Sequence, residues 1–311
     1  MDTYSSVYRM LEEQTMKWEG RRGSSNVRSS KGGGKMIGGG IGGIIIAGIL
    51  WLVFGVNPMT ALQTGQVIAG GGGGTATEPA TGTDRDTEFV KVVLADTEEV
   101  WHQVFNEAGS TYKEPSLILF NGQVSSACGS ASAATGPFYC PGDQTVYLDT
   151  SFFVEMRQNL GIVGDQHSSP SQDNEDKAGD FAQAYVIAHE VGHHVQTLLG
   201  ITQQVSEASR QVTQTQANKL SVLQELQADC FAGVWAQRNQ QRVQFLEPGD
   251  IDEAINAAGQ IGDDRLAKAS GREVVPDNFT HGTSQQRIQW FTRGLESGNI
   301  QSCDTFSGAL S

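Results

Sequence analysis

No Cys-x-x-Cys pair occurs in this chain of 311 residues and no internal repeat is evident, so neither a structural zinc ribbon nor a repeat array is indicated. Basic residues are scarce. The 21 Lys and Arg face 35 Asp and Glu, a net charge of -14, which leaves nucleic-acid binding without electrostatic support. The deficit is uneven, since residues 1–56 hold seven Lys or Arg against four Asp or Glu and the remainder holds 14 against 31.

Charge is missing altogether from Met36 to Val56, 21 residues rich in Ile and Gly. At about 1.5 Å per residue that length crosses a bilayer as a helix. A cleavable signal peptide is the rival, but 35 preceding residues are long for its basic region and no small-residue cleavage site stands out. The expected organisation is therefore a flexible basic tail (1–35, with Lys17, Arg21, Arg22, Arg28, Lys31 and Lys35), an anchor (36–56), a Gly/Thr-rich linker (57–85) and one domain (86–311). Positive charge precedes the span, which predicts a cytoplasmic tail and an external domain. Translation from Met1 or from Met16 stays open.

What is present is His189-Glu190-Val191-Gly192-His193, an H-E-x-x-H pattern in a stretch that reads as helix. Positions four apart on a helix differ by only about 40°, so His189 and His193 can hold one metal ion. Glu190 lies about 100° around, placed to reach a water on that metal without ligating it. Ile187, Val191, Val195 and Leu198 form an apolar stripe roughly opposite the histidines. A catalytic zinc site needs a third protein ligand and an open position. The metzincin continuation is absent, because Gln196 and Leu199 stand where its Gly and His belong. His194 points away from His193. The remaining candidate is Glu225, in Glu225-Leu226-Gln227-Ala228-Asp229, again in a helical run.

This pair of helices resembles the gluzincins, whose third ligand is the Glu of an E-x-x-x-D motif. The resemblance implies that Glu225 binds zinc and that Asp229 accepts the free ring N–H of a ligand histidine, expected to be His189.

Elsewhere the pattern predicts a helix from Asp86 to Asn106, strands at Leu117–Phe120 and Thr145–Asp149, a helix at 151–160, one helix from Pro248 to about Ser270, and a last helix carrying Trp290 and Phe291. The fold class is α+β, a mainly helical zincin-like domain with a small sheet, preceded by one transmembrane helix. An edge strand is expected to line the cleft and pair with extended substrate, supplied either by Ala131 to Tyr139 or by 145–149. Of three possible disulfide pairings the simplest joins Cys128 to Cys140 and Cys230 to Cys303. His167, in a polar loop, reads as a surface residue.

Taken together, Met16 to Arg22, Phe89 to Trp101, the Cys128 to Cys140 loop ending in Gly-Pro-Phe-Tyr-Cys-Pro, Ala188 to His194, Glu225 to Gly233 and His281 to Trp290 resemble the bacterial family of membrane-anchored neutral zinc metallopeptidases. That resemblance implies one Zn2+ per chain, a protein or peptide substrate, and a single-pass protein of the bacterial inner membrane with its catalytic domain outside the cytoplasm. A more distant similarity is to the heat-shock membrane protease and CAAX prenyl protease group, with its T-H-P-P-T-x-x-R-I stretch. Here the segment is Thr280-His281-Gly282-Thr283-Ser284-Gln285-Gln286-Arg287-Ile288, with Gly282 and Thr283 in place of the prolines. By that analogy His281 donates to the oxyanion and Arg287 supports the site; the plainer alternative is a His at a helix N-terminus and an Arg paired with acidic neighbours.

The chemistry expected is hydrolysis by a zinc-activated water with Glu190 as general base. Two other readings stay open: a non-catalytic, membrane-anchored zinc-binding adaptor, and an envelope hydrolase acting on peptidoglycan peptides.

Overall fold

The computed structural model describes residues 16–30, 84–132, 135–149, 151–160 and 179–307. Strand β1 (Val27–Ser29) is followed by helix α1 (Asp84–Glu107) and then by β2 (Ser116–Phe120), β3 (Gln123–Ser126), β4 (Gly129–Ser132), β5 (Phe138–Cys140) and β6 (Thr145–Asp149). The rest is helical: α2 (Phe152–Leu160), α3 (Asp180–Leu198), α4 (Ile201–Ser209), α5 (Gln214–Val243), α6 (Asp250–Gln260), α7 (Asp263–Ala269) and α8 (Ser284–Ser297). The described chain is thus mainly helical with a small sheet.

Strand order is β1-β2-β6-β5, with β1, β2 and β6 parallel and β5 antiparallel at the edge. The two-residue period of a strand sorts its side chains between two layers. Leu117, Leu119, Tyr139, Val146 and Leu148 enter the main core with the helices, while Phe120, Phe138, Cys140 and Tyr147 form a second cluster with Val124 of the β3–β4 hairpin. Because β6 lies between β2 and β5, it cannot be the substrate-pairing edge that the sequence left as one of two choices; β5 holds the edge.

Helix α5 is the spine. Capping boxes start it at Thr213/Gln216 and start α8 at Thr283/Gln286, each satisfying otherwise unpaired N–H groups. The two helices cross so closely that a Cβ on Gly294 would lie 1.9 Å from the carbonyl oxygen of Cys230. Gly294→Ala is therefore expected to force α8 off α5 and cost about 3 kcal/mol or more, measurable by urea unfolding; an unchanged midpoint would contradict this packing.

Helix α3 begins at Gly179, which offers no capping side chain. Glu253 supplies the cap from α6, accepting the Phe181 N–H at 3.1 Å. Beside it Asp250 is raised to about 7, first by burial and then by the charges of Glu253, Asp180 and Glu247, against the hydrogen bond from the Glu247 N–H. A carboxyl raised on folding contributes stability that is full below the unfolded value near 4 and is lost as pH climbs through 7. Asp250→Asn keeps the acceptor and should exceed wild type in stability by a margin that grows from pH 4 to pH 7, reaching at most about 4 kcal/mol. Denaturant melts at pH 5 and pH 8 check this; a margin independent of pH would contradict it.

Three expectations from the sequence need correction. The helix expected from 248 to 270 is two helices, α6 and α7, because the chain turns at Gly262 so that Asp263 and Asp264 can accept backbone N–H groups of residues 280–282 and 284. The part of the basic tail that is described, residues 16–30, is not a solvated tail. Met16 and Trp18 are buried in the main core, the Lys17 N–H bonds the Phe245 carbonyl at 2.8 Å, and β1 pairs with β2. The arginines meet acids that the sequence holds far away: Arg21 pairs with Asp96, and Arg22 with Glu98 and Glu99.

The third correction concerns the membrane. No helix among the described residues is long and apolar enough to cross a bilayer, and Met36 to Val56 lies outside the described residues. A single crossing between Ser30 and Asp84 would put β1 and β2 on opposite sides of the membrane, whereas their backbones are hydrogen-bonded. The single-pass topology with an internal tail and an external domain is overturned. The linker and His167 also fall largely or wholly outside the described residues.

Candidate metal centre

Helices α3 and α5 touch at Gly192, where a Cβ would stand 3.0 Å from the Ala228 carbonyl oxygen. The missing side chain lets the two backbones close up, and Glu225 then reaches across to both histidines. His189 Nε2 lies 3.2 Å from one Glu225 oxygen and His193 Nε2 lies 3.3 Å from the other. One donor atom from each of the three residues lies within 4.8 Å of the others. The imidazoles stand edge to face, with centroids 4.8 Å apart.

Each histidine is oriented through its other nitrogen. His189 Nδ1 meets Asp229 at 2.8 Å, and His193 Nδ1 meets the Gln196 oxygen at 2.9 Å. Both therefore direct Nε2 to the common point, as metal-binding imidazoles backed by a fixed acceptor do. Two imidazole nitrogens and a carboxylate oxygen are a donor set that suits zinc and leaves a position for water.

Asp229 is fully buried, and it accepts from Tyr185 Oη at 2.5 Å and from Arg287 through Nε and one terminal nitrogen, both at 2.8 Å. Burial would raise its carboxyl; the Arg287 and His189 charges and hydrogen bonds prevail and hold it at about 2. For His189 burial opposes the charged ring, yet Asp229 and Glu225 raise it to about 10. Glu225 is held well below the carboxylate range, since the two histidines outweigh its burial. The centre thus concentrates negative charge where a cation would sit. Glu190, 8% exposed, is raised by burial against the pull of His193 and His189.

Of the other residues singled out in the sequence, Arg287 reaches the centre through Asp229. His281 sits on a loop built around Asp263, whose one oxygen accepts the N–H groups of Thr280, His281 and Gly282, while its other meets His281 Nδ1 at 3.0 Å. His194 turns into the core, between Tyr139 Oη at 3.0 Å and the Lys113 carbonyl at 2.6 Å, and burial lowers it to about 4. Both disulfides take the simplest pairing, Cys128–Cys140 and Cys230–Cys303. Sequence reading missed Tyr185, four residues before His189, and Gln196, three after His193; helical spacing puts both beside the ligands.

A family profile described as putative neutral zinc metallopeptidase matches residues 12–306. An uncharacterized protein of Escherichia coli K12, YpfJ, is 45% identical over 306 residues, covering 95% of this chain and all of its own. An uncharacterized protein of Mycobacterium tuberculosis H37Rv, Rv2575, is 38% identical over 238 residues, 74% of each chain. No solved structure matches.

Proposed function

Because this chain belongs to the neutral zinc metallopeptidase family, we propose that it is an endopeptidase that holds Zn2+ on His189, His193 and Glu225 and hydrolyses peptide bonds in protein or peptide substrates. The observation that carries this reading is the convergence of those three donors beside the buried Glu190. When bound, zinc acidifies a water and polarises the scissile carbonyl.

The chain's own residues do the rest. Glu190 lies close enough to His193, His189 and Glu225 to feel all three charges, and its burial raises its affinity for a proton, which suits a base that takes a proton from water and returns it to the leaving amine. Asp229, held by Arg287 and Tyr185, keeps His189 in one orientation throughout. On this reading His281 serves the oxyanion, with Asp263 holding Nδ1 so that Nε2 is the nitrogen offered. Edge strand β5 runs beside α3, joined to it by Tyr139 and His194, and presents the backbone along which substrate would extend. The two disulfides support an oxidising compartment as the place where the chain works.

The test is incubation of the full chain with a diverse peptide library, read by mass spectrometry, before and after metal removal with a chelator. Cleavage that stops on chelation and returns with zinc supports the peptidase. A zinc-loaded chain that cuts nothing would favour the non-catalytic adaptor.

A further inference from the structure

The two ligand histidines are backed differently. His189 leans on a charged carboxylate, whereas His193 leans on an amide, and that amide begins a chain of buried polar groups. Gln196 Nε2 lies 2.7 Å from the Gln224 carbonyl and 3.0 Å from Gln227 Oε1. Gln227 Nε2 lies 3.0 Å from the carbonyl oxygen of Cys303, which is bonded through sulfur to Cys230.

The direction of this chain is fixed at two points, because the carbonyl oxygens of Gln224 and Cys303 can only accept. Gln227 must therefore donate to Cys303 with its nitrogen and offer its oxygen to Gln196. Gln196 in turn donates with its nitrogen and can present only its oxygen to His193. His193 Nδ1 must then carry the proton, leaving the Nε2 lone pair for the metal. Gln196 is fully buried and Gln227 nearly so. Buried amides cost free energy unless hydrogen-bonded, and an apolar side chain would fill either position without that demand.

We propose that Gln196 and Gln227 are positioning residues that lock His193 in its metal-binding tautomer, with the Gln224 carbonyl orienting Gln196 directly and the Cys230–Cys303 disulfide holding the outer end of the relay. Thr305 also ties the C-terminal segment to α5, through the Leu223 carbonyl, but the disulfide fixes residue 303 itself. The proposal rests on the metal centre described above and deepens it: a bond outside the ligand set adds to how firmly the metal is held.

The experiment is competition for zinc between a chromogenic chelator and the full chain, as wild type, Gln196→Met, Gln227→Met, and Cys230→Ser/Cys303→Ser with and without Gln227→Met. Gln196→Met is expected to weaken zinc binding by ~10–100-fold. The serine pair should weaken it in the wild-type background and add nothing once Gln227 is gone. Unchanged affinity in Gln196→Met, or an equal effect of the serine pair in both backgrounds, would overturn the relay. A wild type that takes up no zinc would instead remove the metal centre, and the relay with it. Should the variants not fold, imidazole 15N spectra of the metal-free wild type, taken at a pH where the His193 ring is neutral, decide alone: a proton on Nδ1 supports the relay, and a proton on Nε2 overturns it.

Discussion

Glu190→Gln is expected to leave the zinc content of the protein unchanged while peptide cleavage falls by ~10²–10⁴-fold, the usual worth of a positioned general base. The substitution keeps volume and shape and removes only the ability to take a proton. Glu190 is set about 100° around α3 from His189, outside the group of donors formed by His189, His193 and Glu225. Its neighbours already carry the metal-binding task, so losing its charge should cost chemistry and not the ion. Steady-state cleavage of one identified peptide, beside metal analysis of the same sample, separates the two. Loss of zinc from the variant would make Glu190 a ligand, and unchanged cleavage would remove it from catalysis.

Arg287→Met is expected to be strongly destabilising. Asp229 is a fully buried carboxylate, and two of its four hydrogen bonds come from the Arg287 guanidinium. Removing one partner of a buried ion pair strands the other charge, typically at about 3–5 kcal/mol. Tyr185 and His189 still donate to Asp229, so the lower part of that range is expected. An exposed pair provides the contrast: Glu88 to Lys91 is solvated, and Glu88→Gln should change stability by less than about 0.5 kcal/mol. Urea unfolding of the metal-free protein measures both. A small loss for Arg287→Met would mean that Asp229 is protonated or hydrated in the folded protein.

Much of the centre is legible in the sequence because its parts are local. His189 with His193, and Glu225 with Asp229, are pairs four residues apart on helices, and helical geometry alone brings each pair to one face. That Glu225 meets both histidines is not local. It depends on the close contact of α3 and α5 at Gly192, and ahead of the structure it rested on the need for a third ligand and on the resemblance to a known motif. Tyr185 and Gln196 have the right spacing but look like any polar residue on a helix until burial shows that they must have partners.

The N-terminal segment shows the opposite case. Arg21, Arg22 and Trp18 find Asp96, Glu98 and Asp180 across long separations in the chain, so a window of sequence shows only basic and small residues without periodicity. The same segment undoes the membrane topology, since the positive-inside pattern takes no account of a strand paired into the domain. The break between α6 and α7 was hidden for a related reason: Asp263 turns from helix former to loop organiser only when residues 280–282 arrive.

The most direct test is zinc-edge X-ray absorption on the full chain. The account predicts two imidazole nitrogens at about 2.0–2.1 Å, with carboxylate and water oxygens completing an open site and no sulfur near 2.3 Å. A closed four-ligand shell without water, or sulfur among the ligands, would contradict it and return the chain to a structural role for its metal.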